Sequence, residues 1–238
     1  MRSYRQYCAL AKALDVVGDR WTLLIVRELL LRGPARYSDL QHGLPGIATN
    51  LLASRLRELE RSGVVSREEA TPPVATALFR LTPRGEALEP IVLQLGRWGA
   101  PFLAQAPQSD AFRSHWLALP LGHLLQDHTP DRPGITIELR TGDQPLTLDV
   151  GAGAVHVRPG AASRPDAVLS GPPRPLLAVL TGKLSLAAAE GAGVRYDGDR
   201  ALLLRVQPGP EGLAEGSPRG SGATARRRSP RGTRRRRS

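Results

Sequence analysis

The chain has 238 residues, with 33 Lys and Arg against 22 Asp and Glu, and one cysteine. A lone cysteine excludes an intramolecular disulfide. No apolar run reaches the roughly 18 residues of a membrane-spanning helix and the N-terminus lacks a signal-peptide core, so a soluble, cytoplasmic protein with no membrane partner is expected. The net charge of +11 is uneven. Residues 1–106 hold 14 Lys and Arg against 10 Asp and Glu, residues 107–207 hold 10 against 10, and residues 208–238 hold 9 against 2. Electrostatics therefore favour nucleic acid at the two ends of the chain and give the neutral middle no reason to touch it.

Residues 8–17 carry Leu10, Ala13, Leu14 and Val17 at helical spacing, with Gly18 as a stop. Residues 21–32 form a strongly apolar helix ended by Gly33-Pro34, the expected centre of the first core. Next comes a short helical segment at Asp39-Leu40, a break at Gly43-Leu44-Pro45-Gly46, and a longer helix from about Thr49 to Arg61. Ser62-Gly63 ends that helix, and the β-branched runs Val64-Val65 and Ala77–Leu81 flank a Pro-containing hairpin with its tip at Thr71-Pro72-Pro73. Helix, turn, helix and a two-stranded wing is the layout of a winged helix-turn-helix.

In the longer helix Leu52, Leu56 and Leu59 fall on one side. At about 100° per residue Asn50, Ser54, Arg57 and Arg61 fall on the other. Short polar groups and Arg on an outward face suit a major groove, where they reach base edges and phosphates. The same pattern taken alone also describes a solvated amphipathic helix. The surrounding elements favour the groove reading. Asn50, Ser54 and Arg57 are expected to approach bases with Thr49 beside them, Arg55 is expected to touch phosphate, and Arg67 and Arg80 are secondary wing contacts. Glu68 and Glu69 work against the wing contact.

Thr82-Pro83 is a helix start, a capping hydroxyl followed by a residue that needs no N–H. The helix beyond it carries Leu88, Ile91, Val92, Leu95, Trp98 and Phe102 in one stripe, with Pro90 expected to bend it. So much apolar surface needs a cover. A second subunit, joined by the 8–17 helix, is the leading cover; the chain's own C-terminal domain is the other.

Residues 107–111 read as a linker. Phe112 to about His128 looks helical, although Pro120 interrupts it. Alternation at Ile135–Leu139, Leu146–Val150 and Val155–Val157 predicts an antiparallel meander. Val168–Ser170 reads as a fourth strand, Pro175–Leu180 and Leu184–Ala189 as helices, and Val194–Tyr196 and Ala201–Val206 as the closing elements. From 208 onward Gly, Ser, Pro and Arg dominate, a composition that cannot bury enough apolar surface to fold. Such an Arg-rich tail binds phosphates without specificity, or is an incidental extension.

Cys8, Ala11–Gly18, Arg20–Ile25, Tyr37–Leu40, Leu44–Ile47, Leu52–Gly63, Leu81–Gly85 and Trp98 together resemble the HxlR-type branch of winged-helix bacterial transcriptional regulators. The resemblance spans roughly residues 5–105. It implies a homodimer on a near two-fold-symmetric double-stranded DNA operator. The family often has Ser where Ala48 stands, which leaves Thr49 as the nearest hydroxyl for a cap. Some members sense oxidants or electrophiles through a cysteine matching Cys8. A lone Cys on an apolar helix is otherwise core.

The stretch DAVLSGPPRPLLAVLTGKLSLAAAEGAGVRYDGD, with the meander before it, is similar to sterol-carrier-protein-like domains. That implies a sheet with helices over one face and an apolar cavity for a small hydrophobic ligand, with Leu177, Leu180, Leu184, Leu186 and Leu203 as candidate lining. Residues of this kind are more often plain core.

The five histidines show no metal-ligand pattern, no nucleophile motif occurs, and Gly151-Ala152-Gly153 is a turn rather than a dinucleotide loop. No metal, cofactor or catalytic role is expected. The fold class is α+β: a winged helix-turn-helix over 1–106, a linker, a sterol-carrier-like sheet with helices over 112–207, and a disordered basic tail over 208–238. The expected function is a homodimeric, sequence-specific transcriptional regulator modulated by a small apolar effector. The alternative is a lipid-carrier or lipid-sensing protein whose winged domain serves mainly for dimerisation.

Overall fold

The computed structural model describes residues 3–69, 77–107 and 109–209. The expected wing tip at Thr71–Pro73 and the Arg-rich stretch from 210 onward lie outside them.

The first half opens with α1 (Ala9–Val17) and α2 (Thr22–Arg32), then a short strand β1 (Ala35–Arg36). The helix-turn-helix is α3 (Tyr37–Gly43) and α4 (Thr49–Arg61). The wing is β2 (Val65–Glu69) and β3 (Ala77–Leu81), paired antiparallel with Val65 opposite Leu81 and Arg67 opposite Phe79. β1 adds to the outer side of β3, so the sheet order is β1-β3-β2. Ile25, Val26 and Leu29 of α2 meet Leu40 of α3, Leu52, Leu56 and Leu59 of α4, and Val65 and Phe79 of the wing in one core. Every apolar position predicted for α4 is on its buried side, as a 3.6-residue period requires.

The expected bent helix after Thr82 is two helices. Thr82 caps α5 (Pro83–Glu86), its Oγ1 accepting from the Gly85 amide at 3.2 Å. The chain turns at Ala87-Leu88 and restarts as α6 (Glu89–Gly99), with Pro90 in the first turn of the new helix. Proline lacks the amide an interior position would need, so it starts a helix more readily than it bends one. A 3₁₀ segment, Ala100–Gln105, continues from α6.

The second half does not begin with the long helix expected over 112–128. A 3₁₀ turn (Ser114–Leu117) leads into α7 (Ala118–Leu124), and the chain then extends as β4 (Leu125–Asp127). The meander is β5 (Ile135–Arg140), β6 (Leu146–Gly151) and β7 (Ala154–Pro159). β8 (Ala167–Ser170) crosses back to pair parallel with β5, Ile137 opposite Ala167. Then follow α8 (Pro173–Leu180), α9 (Leu186–Glu190), β9 (Arg195–Asp197), α10 (Arg200–Arg205) and β10 (Val206–Pro208). The five-stranded sheet runs β7-β6-β5-β8-β9, and β4 pairs with β10 in a separate ribbon. Ile137, Leu139, Leu146, Leu148 and Leu169 of the sheet pack against Leu121 of α7 and Leu176, Val179 and Leu180 of α8 in a second core. Arg205 anchors the ribbon: Nε and Nη2 donate to the two oxygens of Asp127 at 2.6 and 2.8 Å, and Nη1 donates to the Pro133 carbonyl at 2.7 Å.

Candidate nucleic-acid interface

The turn between α3 and α4 is fixed from both ends. Asp39 accepts the Arg36 amide at 3.0 Å across the first turn of α3. Gly46 sits at φ +87°, a conformation L side chains rarely adopt, and lets the chain reverse before α4. Ala48 is the residue preceding α4 and makes no side-chain cap. Thr49 does not replace it, contrary to expectation. Already in the first turn, its hydroxyl accepts from Gln41 Nε2 at 3.0 Å, and its carbonyl accepts from the Tyr37 hydroxyl at 2.6 Å. Thr49 thus ties α4 to α3, so the angle between the two helices is set by side chains of both.

With Leu52, Leu56 and Leu59 buried, Asn50, Arg57 and Arg61 face outward and are exposed. The side chains of Asn50 and Arg57 have no hydrogen-bond partner among the described residues. Arg61 Nε donates to the Arg57 carbonyl at 3.2 Å, and the Ser54 hydroxyl lies 3.4 Å from Glu58. The structure gives Arg55 a different setting from the one expected. Its guanidinium donates to Asp19 at 2.5 Å and to Glu58, and it is only 17% exposed. Held by these two carboxylates, it leaves the outer face of α4 to Arg57 and Arg61. On the wing, strand register puts Arg67 and Arg80 on opposite faces of the hairpin. Arg80 is drawn onto Glu68 at 3.0 Å, while Arg67 is exposed.

A second surface lies on α1 and α6. No residue of α6 is buried. Ile91, Leu95 and Trp98 (69% exposed) stand out of it, as does Phe102 (59%) from the 3₁₀ segment that follows, and Tyr7, Leu10 and Leu14 do the same around α1. Trp98 and Phe102 meet edge to face at 5.2 Å. The C-terminal half meets the start of α6, where His123 Nε2 and Glu89 lie 2.9 Å apart. Cys8, expected in the core as a lone cysteine on an apolar helix, is exposed just before α1.

The two halves meet at a group that sequence reasoning did not single out. Glu28 of α2 is fully buried. Arg27 Nη2 donates to its Oε1 at 2.8 Å and Arg32 Nε to its Oε2 at 3.2 Å. From the C-terminal half, Trp116 Nε1 donates to Oε1 at 2.8 Å, and His115 Nε2 lies 2.8 Å from Oε2. Arg32 Nη2 also lies 3.2 Å from that nitrogen; a carboxylate only accepts, so where Nε2 donates to Glu28 it takes no hydrogen bond from Arg32. The Arg27 guanidinium covers the Trp116 ring at 4.4 Å. Burial alone would raise the Glu28 carboxyl; the His115 hydrogen bond and the Arg27 charge outweigh it and hold it below the ordinary carboxylate range. The available signal was a Glu one turn beyond Ile25 and beside Leu29, on the face that α2 buries.

Open clefts among the described residues include two lined by polar and apolar groups together. One, of about 730 Å³, lies between α2, the wing base and α5, lined by Leu29, Pro34, Arg80, Pro83 and Glu86 among others. The other, of about 610 Å³, lies by the β5–β6 turn around Arg140, Thr141 and Asp143. Neither is lined by Leu177, Leu180, Leu184, Leu186 or Leu203. Leu180 and Leu203 belong to the second core, and Leu177, Leu184 and Leu186 are half-buried against it.

A profile of HxlR-like helix-turn-helix proteins matches residues 16–107. The HTH-type transcriptional regulator YvaP of Bacillus subtilis is 36% identical over 92 residues, which are 39% of this chain and 84% of YvaP. The chain belongs to the HxlR-like helix-turn-helix family. Two further regulators of B. subtilis align over much the same stretch: YkvN at 35% identity over 41% of this chain and 82% of its own, and YodB at 31% over 38% and 80%. The HxlR-like part is therefore the half that holds α4 and the wing. Residues 133–208 match the SCP-2 sterol transfer family. That span begins before β5 and ends with β10, so it holds the five-stranded sheet and its helices. Among the described residues no helix is long and apolar enough to cross a membrane, and no three His, Cys, Asp or Glu cluster as a metal site would need.

Proposed function

We propose that the protein is a homodimeric, sequence-specific DNA-binding transcriptional regulator whose occupancy of DNA responds to a small apolar effector taken up by the C-terminal domain. The observation that carries the DNA reading is the outer face of α4: Asn50 and Arg57 stand exposed and unpaired on a helix whose other side is locked into the core. Membership of a helix-turn-helix family whose relatives are transcriptional regulators supports it. Asn50, Ser54 and Arg57 address bases, Thr49 sets the helix, and Arg67 is the freer of the two wing cations. The exposed Leu95, Trp98 and Phe102 surface supports a dimer, because large clustered apolar patches on a soluble chain are usually covered. The working division is 1–106 for DNA binding and pairing, 107–111 for the connection, 112–207 with the end of β10 at Pro208 for the effector, and the Arg-rich stretch from 210 for nonspecific phosphate contact.

The effector reading rests on the SCP-2 match and on Leu177, Leu184 and Leu186, which line the half-buried margin of the second core at α8 and α9. Selection of bound duplexes from a random pool, with and without a hydrophobic cell extract, tests both parts. Enrichment of one two-fold-symmetric site, altered by the extract, is expected. Recovery of a random pool at physiological salt overturns the DNA reading.

A further inference from the structure

We propose that Glu28 is a coupling residue through which the C-terminal domain and the helix-turn-helix set each other's state. The inference rests on the DNA-binding reading above.

The geometry has three parts. Glu28 accepts from Arg27 and Arg32 of its own helix and from His115 and Trp116 of the C-terminal half. Its carboxylate also lies against Gly43, the last residue of α3, where a Cβ would collide with it. A single buried group therefore touches the C-terminal half on one side and the turn that aims α4 on the other. Nδ1 of His115 is buried with no hydrogen-bond partner, so the ring is held from its Nε2 side, where Glu28 and Arg32 both lie.

The chemistry makes the link two-state. A buried carboxylate is tolerated only while its donors are in place, because each missing donor leaves uncompensated charge in a dry setting. If the turn at Ser114–Leu117 shifts, Glu28 loses two donors together and must turn toward water or toward Gly43. Either movement disturbs the seat of α3. Linkage is reciprocal, so holding α3 and α4 on DNA must in turn steady Ser114–Leu117. Any ligand that moves the C-terminal domain would act on DNA affinity through this contact.

Trp116→Phe tests this in the full chain, since it removes one donor from the C-terminal side and keeps an aromatic ring. Hydrogen exchange is followed over residues 43–50 and 113–118, with and without a duplex recovered by the selection above. In the wild type the duplex should slow exchange at 113–118. In W116F the exchange at 43–50 should quicken without DNA, the duplex should no longer protect 113–118, and affinity should drop about five-fold or more. Glu28→Gln should reproduce the pattern; should it fail to fold, W116F still decides. Wild-type exchange at 43–50 in a folded W116F overturns the proposal. If no duplex is preferred by the wild type, the DNA reading fails, and the DNA-free exchange comparison still decides whether the two regions are linked.

Discussion

The two halves solve the problem of burial differently. The C-terminal half hides its own apolar residues, and among its described residues only Leu204 is a large exposed hydrophobic. The N-terminal half leaves Tyr7, Leu10, Ile91, Leu95, Trp98 and Phe102 exposed, while the core beneath α4 is closed. On the reading proposed above, the open apolar face over a closed core is where a second chain would sit. A closed core with no such face is complete. The surplus lies on α1, α6 and the 3₁₀ segment after it, on elements other than α4.

The widest test of this contrast is Trp98→Asp. It should convert a dimer into a monomer in sedimentation and abolish selective duplex binding, while the helical circular dichroism stays. A monomeric wild type would undo the contrast. Next in size is Leu180→Ala. Leu180 is fully buried in the second core, and the truncation should cost about 2–5 kcal/mol in urea unfolding. A much smaller loss would mean the C-terminal core is looser than its burial implies, as an effector cavity would need. Arg57→Ala should weaken the selected duplex by about 1–3 kcal/mol and shuffled duplexes less, measured by titration at fixed salt. Equal losses would demote Arg57 to a backbone contact.

Acid sharpens the comparison through one carboxylate in each half. The Arg205 hydrogen bonds hold Asp127 well below its ordinary 3.8 against the opposing effect of burial, and Glu28 lies below its ordinary 4.5. Both folded values are depressed, so both contributions are present above the unfolded values and are lost as pH falls through the folded ones. Stability should therefore fall progressively as pH drops below about 5 and on through the folded values, and the fall should flatten in Asp127→Asn. An unchanged slope in that variant would remove Asp127 from the account. The smallest effect belongs to Glu68→Ala, which frees Arg80. An exposed pair contributes about 0–1 kcal/mol, so stability should barely move while duplex affinity rises slightly.

Periodicity alone placed α2, α4 and the β5–β7 meander, and it told the inner leucines of α4 from Asn50 and Arg57. Those are properties of local spacing: a helix or strand either presents one apolar side or it does not. Pro90 was misjudged as a bend because the chemistry of proline suits a break equally well, and which it makes depends on what α5 and α6 pack against. The return of β8 beside β5, the β4–β10 ribbon and the fate of Arg55 depend on partners far along the chain. No window of sequence contains both Arg55 and Asp19 in a relation that spacing can express, and none joins Asp127 to Arg205.

What the order of residues determined by itself was the set of elements, their inner and outer sides, and through family likeness the kind of molecule. What only tertiary structure decided was which polar groups are spent inside the protein and which stay free for a partner. Arg55 and Glu28 are consumed; Asn50 and Arg57 are not. The physical reason is that a charged side chain is long and weakly biased by its neighbours in sequence, so its partner is chosen by whatever the fold brings within about 3 Å of it.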